Sequence, residues 1–277
     1  MKRSLFPLLI IFMSIATYAQ TPTLQHEILD LTACESAVYD TEADLVYASM
    51  IGGREPGDGG VATVSLDEKM VNRDFIAGLE DPKGIAITKD KLYVSDVTVL
   101  VEADRKTGKI IKRHTADGIA FLNDVAIAPD GNIYVSDTRN SEIYRLDTEG
   151  NFGLWLKDAA LDNPNGLLIM EDTMYIASWG GSEAGGAVSK LDMKTKKITA
   201  VTEKIGNLDG IRPYDENHLI VSDWRSGKIH TVNLENGSTK EVLEVGVSVG
   251  DIAYDADRKV LLLPMNRQGR LLVYSLD

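Results

Sequence analysis

The chain alternates short apolar segments with polar turns, and one such phrase recurs six times along its length. Each copy begins with one or two polar or small residues and continues into mostly apolar ones, and successive copies start 40 to 48 residues apart. The six copies are residues 35–39, 83–87, 123–127, 165–169, 209–213 and 250–254. A repeat of this length is typical of an architecture built from equivalent units placed side by side.

Each copy is followed by a polar turn and then by a second apolar segment. These second segments are residues 45–49, 92–96, 133–137, 174–178, 219–223 and 260–264. Short strands separated by Gly, Asp and Asn turns, without a helical period, predict an all-β protein. Four strands in each unit of about 43 residues match one propeller blade. The pattern therefore predicts a six-bladed β-propeller.

The last copy ends one strand short of a complete blade. An additional apolar segment at residues 26–31 precedes the first copy, and we predict that this N-terminal strand completes the last blade and closes the ring. Closure leaves no long unpaired sheet edge. We therefore predict a single propeller domain over residues 20–277.

The first nineteen residues have the pattern of a secretory signal peptide. A basic start with Lys2 and Arg3 precedes an apolar run at residues 5–15 and small residues up to Ala19, after which we expect cleavage. The apolar run is too short for a membrane span, which needs about 20 residues. We expect an exported protein, periplasmic or secreted, that is not inserted in a membrane once the signal is removed.

Composition narrows the classes of function. The 277 residues are 44% hydrophobic, carry a net charge of −13 and include a single cysteine, Cys34. One cysteine excludes an intramolecular disulfide and a cysteine-based zinc site. The acidic balance argues against a nucleic-acid partner, because binding phosphates requires clustered Lys and Arg. We expect a monomer that acts on a small molecule.

Polar residues precede the first strand of every predicted blade, and these strands line the channel of a propeller. The residues expected at one mouth of the channel are Glu35, Lys83, Asn123, Asn165, Asp209 and Gly250 with Asp251. Glu35, Asn123, Asn165 and Asp209 offer oxygen ligands, which hard cations such as Ca²⁺ prefer. Any one of these residues could simply be a turn residue. Their recurrence at equivalent positions favours a shared divalent cation.

Loops that return to the same mouth supply candidates for substrate contact, although packing or solvation would explain these residues equally well. The candidates are Arg54, Arg139, Trp179, Trp224 and Arg225. A Ser-Asp pair recurs at the end of several second strands. We expect its aspartates, Asp96, Asp137 and Asp223, to form hydrogen bonds between blades.

The ordered set of blade phrases resembles the senescence marker protein/regucalcin/gluconolactonase family, and more distantly paraoxonase and NHL-type propellers. The similarity rests on residues 35–39, Asn123-Asp124, Asn165-Gly166 and Asp209-Gly210, and extends over roughly residues 24–277. Ala37 and Tyr39 depart from the family's usual Pro and Trp. Lys83 stands where paraoxonase-like lactonases have a His.

The resemblance implies a divalent-metal-dependent hydrolase of small lactones or esters, most simply with Ca²⁺ at the channel mouth. The family's metal-ligand phrases correspond here to Glu35, Asn123, Asn165 and Asp209. Asp209 would position or deprotonate the attacking water, and Asp251 or His114 are further candidates for the base.

Lys83 leaves two roles open. Its ammonium could support the oxyanion or an acidic substrate, or it could replace the metal. The alternative to a hydrolase is a non-catalytic exported propeller that binds a small ligand or a protein partner.

Overall fold

The computed structural model describes residues 21–53, 55–67 and 70–276. The predicted signal peptide at residues 1–19 and the substrate candidate Arg54 lie outside the described residues. The described chain forms six four-stranded antiparallel sheets, which confirms the predicted six-bladed β-propeller. Apart from the strands it contains two short 3₁₀ helices, Ala159–Leu161 and Asn266–Gln268.

The first three blades each use four consecutive strands. Blade one contains β2 (Cys34–Asp40), β3 (Leu45–Met50), β4 (Gly59–Val64) and β5 (Met70–Leu79). Blade two contains β6 (Pro82–Ile87), β7 (Lys91–Asp96), β8 (Val99–Asp104) and β9 (Ile110–His114). Blade three contains β10 (Leu122–Ile127), β11 (Ile133–Asp137), β12 (Glu142–Leu146) and β13 (Phe152–Lys157).

The remaining blades follow the same order, except that the last takes a strand from the N-terminal end. Blade four contains β14 (Pro164–Met170), β15 (Thr173–Ser178), β16 (Val188–Asp192) and β17 (Ile198–Ala200). Blade five contains β18 (Leu208–Pro213), β19 (His218–Asp223), β20 (Lys228–Asn233) and β21 (Thr239–Glu244). Blade six contains β22 (Ala253–Asp255), β23 (Val260–Met265), β24 (Arg270–Ser275) and β1 (Thr23–Ile28).

The ring closes as the sequence predicted. Strand β1 pairs antiparallel with β24 and forms the outer edge of blade six, where it begins and ends three residues earlier than the predicted segment 26–31. An ion pair of 2.7 Å between Arg270 and Glu27 crosses this pairing. The two ends of the described chain are therefore held within one sheet.

The apolar core consists of six clusters, each between two neighbouring blades. At the closing seam, for example, Leu271 and Val273 of blade six pack with Val46 and Ala48 of blade one. Equivalent clusters lie between each of the other neighbouring pairs. This arrangement follows from the period-2 alternation of strands, because both faces of a blade are covered by its neighbours.

The first strand of blade six is shorter than the predicted segment 250–254. The Asp251 N–H donates to the Glu35 carbonyl at 2.8 Å, and the Ala37 N–H donates to the Asp251 carbonyl at 3.1 Å. The backbone before β22 is thus engaged by blade one as well as by β23, where the Gly250 N–H donates to the Pro264 carbonyl at 2.9 Å. Gly250 permits this approach, because a Cβ there would lie 2.1 Å from the Glu35 carbonyl oxygen.

In the Ser-Asp pair that ends the second strands, the serine makes the direct hydrogen bond to the inner strand of the next blade. The Ser136 hydroxyl accepts from the Asp124 N–H at 3.0 Å and donates to the Asn165 carbonyl at 2.8 Å. In blade five, Ser222 repeats both contacts with Gly210 and Gly250.

The recurrent aspartates, which we expected to bond between blades, hold the segment that arrives from the previous blade. Asp137, for instance, accepts from the Ala120 N–H at 2.7 Å and the Phe121 N–H at 3.2 Å. Asp96 and Asp223 bind the equivalent N–H groups in blades two and five.

No helix among the described residues is long and apolar enough to cross a bilayer.

Candidate functional site

A pocket of about 460 Å³ opens at the mouth where the six inner strands begin. It brings together eight of the residues that the sequence singled out: Glu35, Lys83, Asn123, Asn165, Asp209, Arg139, Trp179 and Trp224. Its other lining residues are Ile51, Phe121, Thr138, Asn163 and Asn266. The mouth predicted from the repeat is therefore a real concavity with polar groups on its floor.

A β-bulge in the inner strand places each floor residue. In β2, β6, β10, β14 and β18 the pairing with the second strand shifts register at the mouth end. The shift contains the first residue of the repeated phrase in every case. A bulge sets two residues opposite one and redirects a side chain. In these five blades the first polar residue of the phrase is therefore not paired with the second strand, and its side chain lines the pocket.

Three buried oxygens of this floor lack a hydrogen-bond partner among the residues that the structure describes. Glu35, Asn165 and Asp209 are at most 5% exposed, and Glu35 Oε2, Asn165 Oδ1 and Asp209 Oδ1 have no hydrogen-bond partner. Buried polar atoms are almost always hydrogen-bonded, so three orphaned acceptors at one place call for a donor or a cation.

The amide nitrogens of the two asparagines are already engaged by the protein. Asn165 Nδ2 donates to the Leu208 carbonyl at 3.3 Å, and Asn123 Nδ2 donates to Thr138 Oγ1 at 3.1 Å. Each carboxamide therefore has its donor bound and its carbonyl oxygen available. This is the orientation that a cation site requires.

Burial and mutual repulsion perturb the two floor carboxyls. Burial raises the pKa of Glu35 to about 8, with Lys83 opposing the rise and Asp251 adding to it. Burial, together with the Glu35 and Asp251 carboxylates, raises the pKa of Asp209 well above its usual value. Both shifts arise mainly from burial, and the neighbouring carboxylates add to them.

The floor mixes carboxylates with carboxamides. Within the described ranges, no group of three or more Asp, Glu, His and Cys side chains is close enough to hold a metal ion. Two carboxylates and two amide carbonyls remain a suitable set for a hard, oxygen-seeking cation such as Ca²⁺. They would not suit a thiolate- or imidazole-seeking metal.

Lys83 lies on the wall of the pocket, and its partners are not the floor carboxylates. Its ammonium forms an ion pair with Asp81 and lies 4.6 Å from the centre of the Phe121 ring. Neither Glu35 nor Asp209 forms an ion pair with it within 4 Å. Its positive charge nonetheless opposes the rise that burial causes in the pKa of Glu35.

A second charged layer lies deeper in the channel. Arg212 donates to Asp251 Oδ2 at 2.8 Å and lies 4.0 Å from Asp124 Oδ2. Ser36 also donates to Asp251 Oδ2 at 2.8 Å. Burial raises the pKa of both aspartates, to about 8 for Asp124, while Arg212 opposes the rise in each.

This deeper layer was missed in part by the sequence analysis. Asp251 was expected at the mouth as a second candidate base, but it does not line the pocket. Its Oδ2 is bound by Ser36 and Arg212, while its Oδ1 has no partner among the described residues. Asp124 and Arg212 were not singled out. The available signal was that Asp124 occupies a phrase position where three of the other blades have glycine.

Aromatic and cationic side chains form the upper wall. Trp179 and Trp224 pack with their ring centres 5.7 Å apart. The Arg139 guanidinium lies 5.1 Å from the centre of the Phe121 ring, and that of Arg267 lies 4.8 Å from Trp224. Arg267 was not predicted, since it belongs to the turn between the last two strands of the chain.

Two other candidates lie away from the pocket. Arg225 is exposed and does not line it. His114, considered as a base, is buried in β9 at the outer edge of blade two and pairs with Glu102 at 2.8 Å.

No protein-family model and no curated protein sequence matches the chain. Solved structures do match it. A gluconolactonase from Xanthomonas campestris superimposes with a TM-score of 0.69 at 17% identity, over 96% of this chain and 94% of that one. Virginiamycin B lyase from Staphylococcus aureus gives a TM-score of 0.66 at 13% identity, over 92% of this chain and all of the lyase. At such identities the likeness concerns the fold, and the expected resemblance to gluconolactonase-type propellers is confirmed at that level.

Proposed function

We propose that the protein is a divalent-metal-dependent hydrolase of small lactones or esters. The observation that supports this most directly is the set of orphaned buried oxygens on Glu35, Asn165 and Asp209 at the floor of one pocket. The gluconolactonase-like fold is consistent with the proposal.

The residues present fit a bound Ca²⁺. Glu35, Asn123, Asn165 and Asp209 would hold it, because they offer two charged and two neutral oxygens from four different blades. The carboxyls of Glu35, Asp124, Asp209 and Asp251 are all buried. Arg212 pairs with two of them, Asp251 and Asp124, so a dication would offset the surplus negative charge. When bound, the cation would polarise the ester carbonyl and stabilise the negative charge that develops on it.

Asp209 is the residue that we assign as base. It lines the pocket, and its free Oδ1 can accept the proton of the attacking water. Asp251, with Oδ2 bound by Ser36 and Arg212 below the floor, would instead keep the deeper layer in place. The indoles of Trp179 and Trp224 would bind the apolar body of the substrate and exclude water from it.

The experiment that tests this function combines metal analysis with turnover. Protein purified without chelator is expected to contain one divalent cation per chain and to open small aliphatic or sugar lactones. EDTA should abolish turnover, and added Ca²⁺ should restore it. Protein that contains no metal, does not respond to Ca²⁺ and turns over no lactone would instead support the alternative of a binding propeller.

We also propose that the protein is exported as a monomer after removal of residues 1–19. The basic start and the apolar run of the sequence support export. Mass spectrometry of the native protein should find a chain that begins at Gln20. A native chain that retains Met1 would contradict the proposal.

A further inference from the structure

The pocket wall carries positive charge that ester hydrolysis itself does not require. Lys83 and Arg139 both lie against the ring of Phe121, at 4.6 and 5.1 Å from its centre. Across the pocket, Trp224 carries Arg267 in the same way at 4.8 Å. Lys83 and Arg139 thus line the pocket, and Arg267 packs on a tryptophan that lines it. This positive charge gathers in a chain in which acidic residues outnumber basic ones by 42 to 29.

Among the described residues, Arg139 is the arginine that lines the pocket, and its partly exposed guanidinium has no carboxylate partner there. Several arginines outside the pocket are paired, as Arg105 is with Asp40 and Arg258 with Asp44. The nearby Asp137 does not serve, because its two oxygens already accept from backbone N–H groups of the loop at residues 120–121 and from Asn140. The guanidinium of Arg139 therefore lies against the Phe121 ring, and its N–H donors remain available to bind a ligand.

Stacking on an aromatic face fixes a guanidinium without using its N–H donors. The planar fork then presents two parallel donors, the arrangement that binds a carboxylate in a bidentate manner. Lys83 does not offer a second free cation. Its ammonium is paired with Asp81 and packs against the Phe121 ring, which Arg139 also contacts.

We infer that the substrate carries a carboxylate in addition to the ester that is cleaved, and that Arg139 binds it. This inference rests on the proposed function for the reaction, and it names the class of substrate as lactones or esters with a free carboxylate. A monoanion fits better than a phosphate dianion, because Arg139 offers one unpaired positive charge to the pocket while Lys83 is already paired with Asp81.

The first test compares two lactones that differ only in charge, β-carboxy-γ-butyrolactone and its carboxamide. The Ca²⁺-loaded wild type should prefer the carboxylate in kcat/KM, chiefly through KM. In Arg139→Gln this preference should fall about 10- to 100-fold, as expected for the loss of a charge-assisted hydrogen-bonded pair. Arg139→Lys should restore part of it, and Arg145→Gln, an arginine of the same blade outside the pocket, should leave it unchanged.

A second test measures binding without turnover, so that failure of the hydrolase proposal and failure of this inference can be told apart. The glutaramate monoanion and neutral glutaramide, neither of which contains an ester, are titrated against the intrinsic fluorescence, to which Trp179 and Trp224 contribute from the pocket wall. Tighter binding of the monoanion that is lost in Arg139→Gln supports the inference even if no lactone is hydrolysed. Equal affinity for the two probes, or a preference that survives Arg139→Gln, overturns it. Tighter Arg139-dependent binding of inorganic phosphate than of the carboxylate overturns the assignment to carboxylates.

Discussion

Single residues at the floor of the pocket combine two tasks, since they must be buried and yet remain free to bind. Asp209 is 3% exposed, and one of its carboxylate oxygens has no hydrogen-bond partner in the described part of the chain. Such an acceptor is costly in a folded protein unless a ligand uses it. Asp137, by contrast, is a structural carboxylate whose two oxygens both accept hydrogen bonds.

Asp209→Asn tests the assignment of the base. The carboxamide can still coordinate a cation through its oxygen but cannot accept the proton of water, so kcat for lactones should fall about 10²- to 10⁴-fold. Metal content and the circular dichroism spectrum should stay close to those of the wild type. Turnover at the wild-type rate would show that another group acts as base.

Arg212→Met tests the deeper charged layer. Removing the guanidinium leaves Asp124 and Asp251 buried without their cation, and we expect a loss of about 3–5 kcal/mol in the free energy of unfolding. Denaturant titration measures it in chelator-treated protein. The control is Arg225→Met, an exposed arginine for which the change should stay within about 0.5 kcal/mol. Equal stability of the two variants would contradict the importance of this layer.

At the scale of the strands, the bulges at the mouth are combined with close approach between neighbouring inner strands. Gly166 follows the floor residue of blade four, and a Cβ on it would lie 2.1 Å from the Asp209 carbonyl oxygen of blade five. Gly84 and Gly210 meet the next blade in the same way. These three glycines therefore permit the close spacing of neighbouring inner strands at the floor.

Gly166→Ala should disturb both stability and the site. The added methyl group must push the backbone of Asp209 away, so we expect a loss of about 1–3 kcal/mol in the free energy of unfolding. Calorimetry should also detect weaker Ca²⁺ binding. The matched control is Gly153→Ala, where a Cβ would meet nothing within 4 Å. If both variants bind Ca²⁺ like the wild type, the spacing of these strands does not control the site.

The repeat made the strands and the floor predictable, because every blade repeats the same polar-to-apolar phrase. Glu35, Asn123, Asn165 and Asp209 could be aligned by counting residues alone. The pairing of Arg212 with Asp124 could not, since it joins positions in blades three and five that no local pattern connects. Arg225 was misplaced because its neighbour Trp224 does line the pocket. The Trp224 N–H donates to the Asn207 carbonyl and the Arg225 N–H donates to Asp223 Oδ1. These bonds hold a turn in which Trp224 lines the pocket and Arg225 does not.

At the scale of the whole molecule, buried acids link stability to pH. Glu35 and Asp124 have a pKa near 8 in the folded protein, well above their usual values of 4.5 and 3.8. Between the two values the folded state binds more protons than the unfolded one, so stability must fall as pH rises. In EDTA, the melting temperature should therefore decrease from about pH 5 to pH 8.

Saturating Ca²⁺ should flatten this dependence, because a cation at the floor offsets the ionised carboxylates. The measurement is thermal unfolding at several pH values, with and without Ca²⁺, at constant ionic strength. A melting temperature that rises with pH over this interval in EDTA would contradict the buried-acid interpretation.

Ring closure at the seam between blades six and one is also required to complete the floor of the pocket. Glu35 sits beside this seam, and its carbonyl accepts from the Asp251 N–H at 2.8 Å only because blade six, completed by β1 on β24, lies against blade one. During synthesis β1 precedes the other strands and its partner β24 follows them, so β1 remains without its partner until β24 has been translated. Pairing over such a separation is intrinsically slow. A chain that stops before β24 consequently leaves the ring open beside Glu35, and ligand binding at the mouth becomes a readout of ring closure.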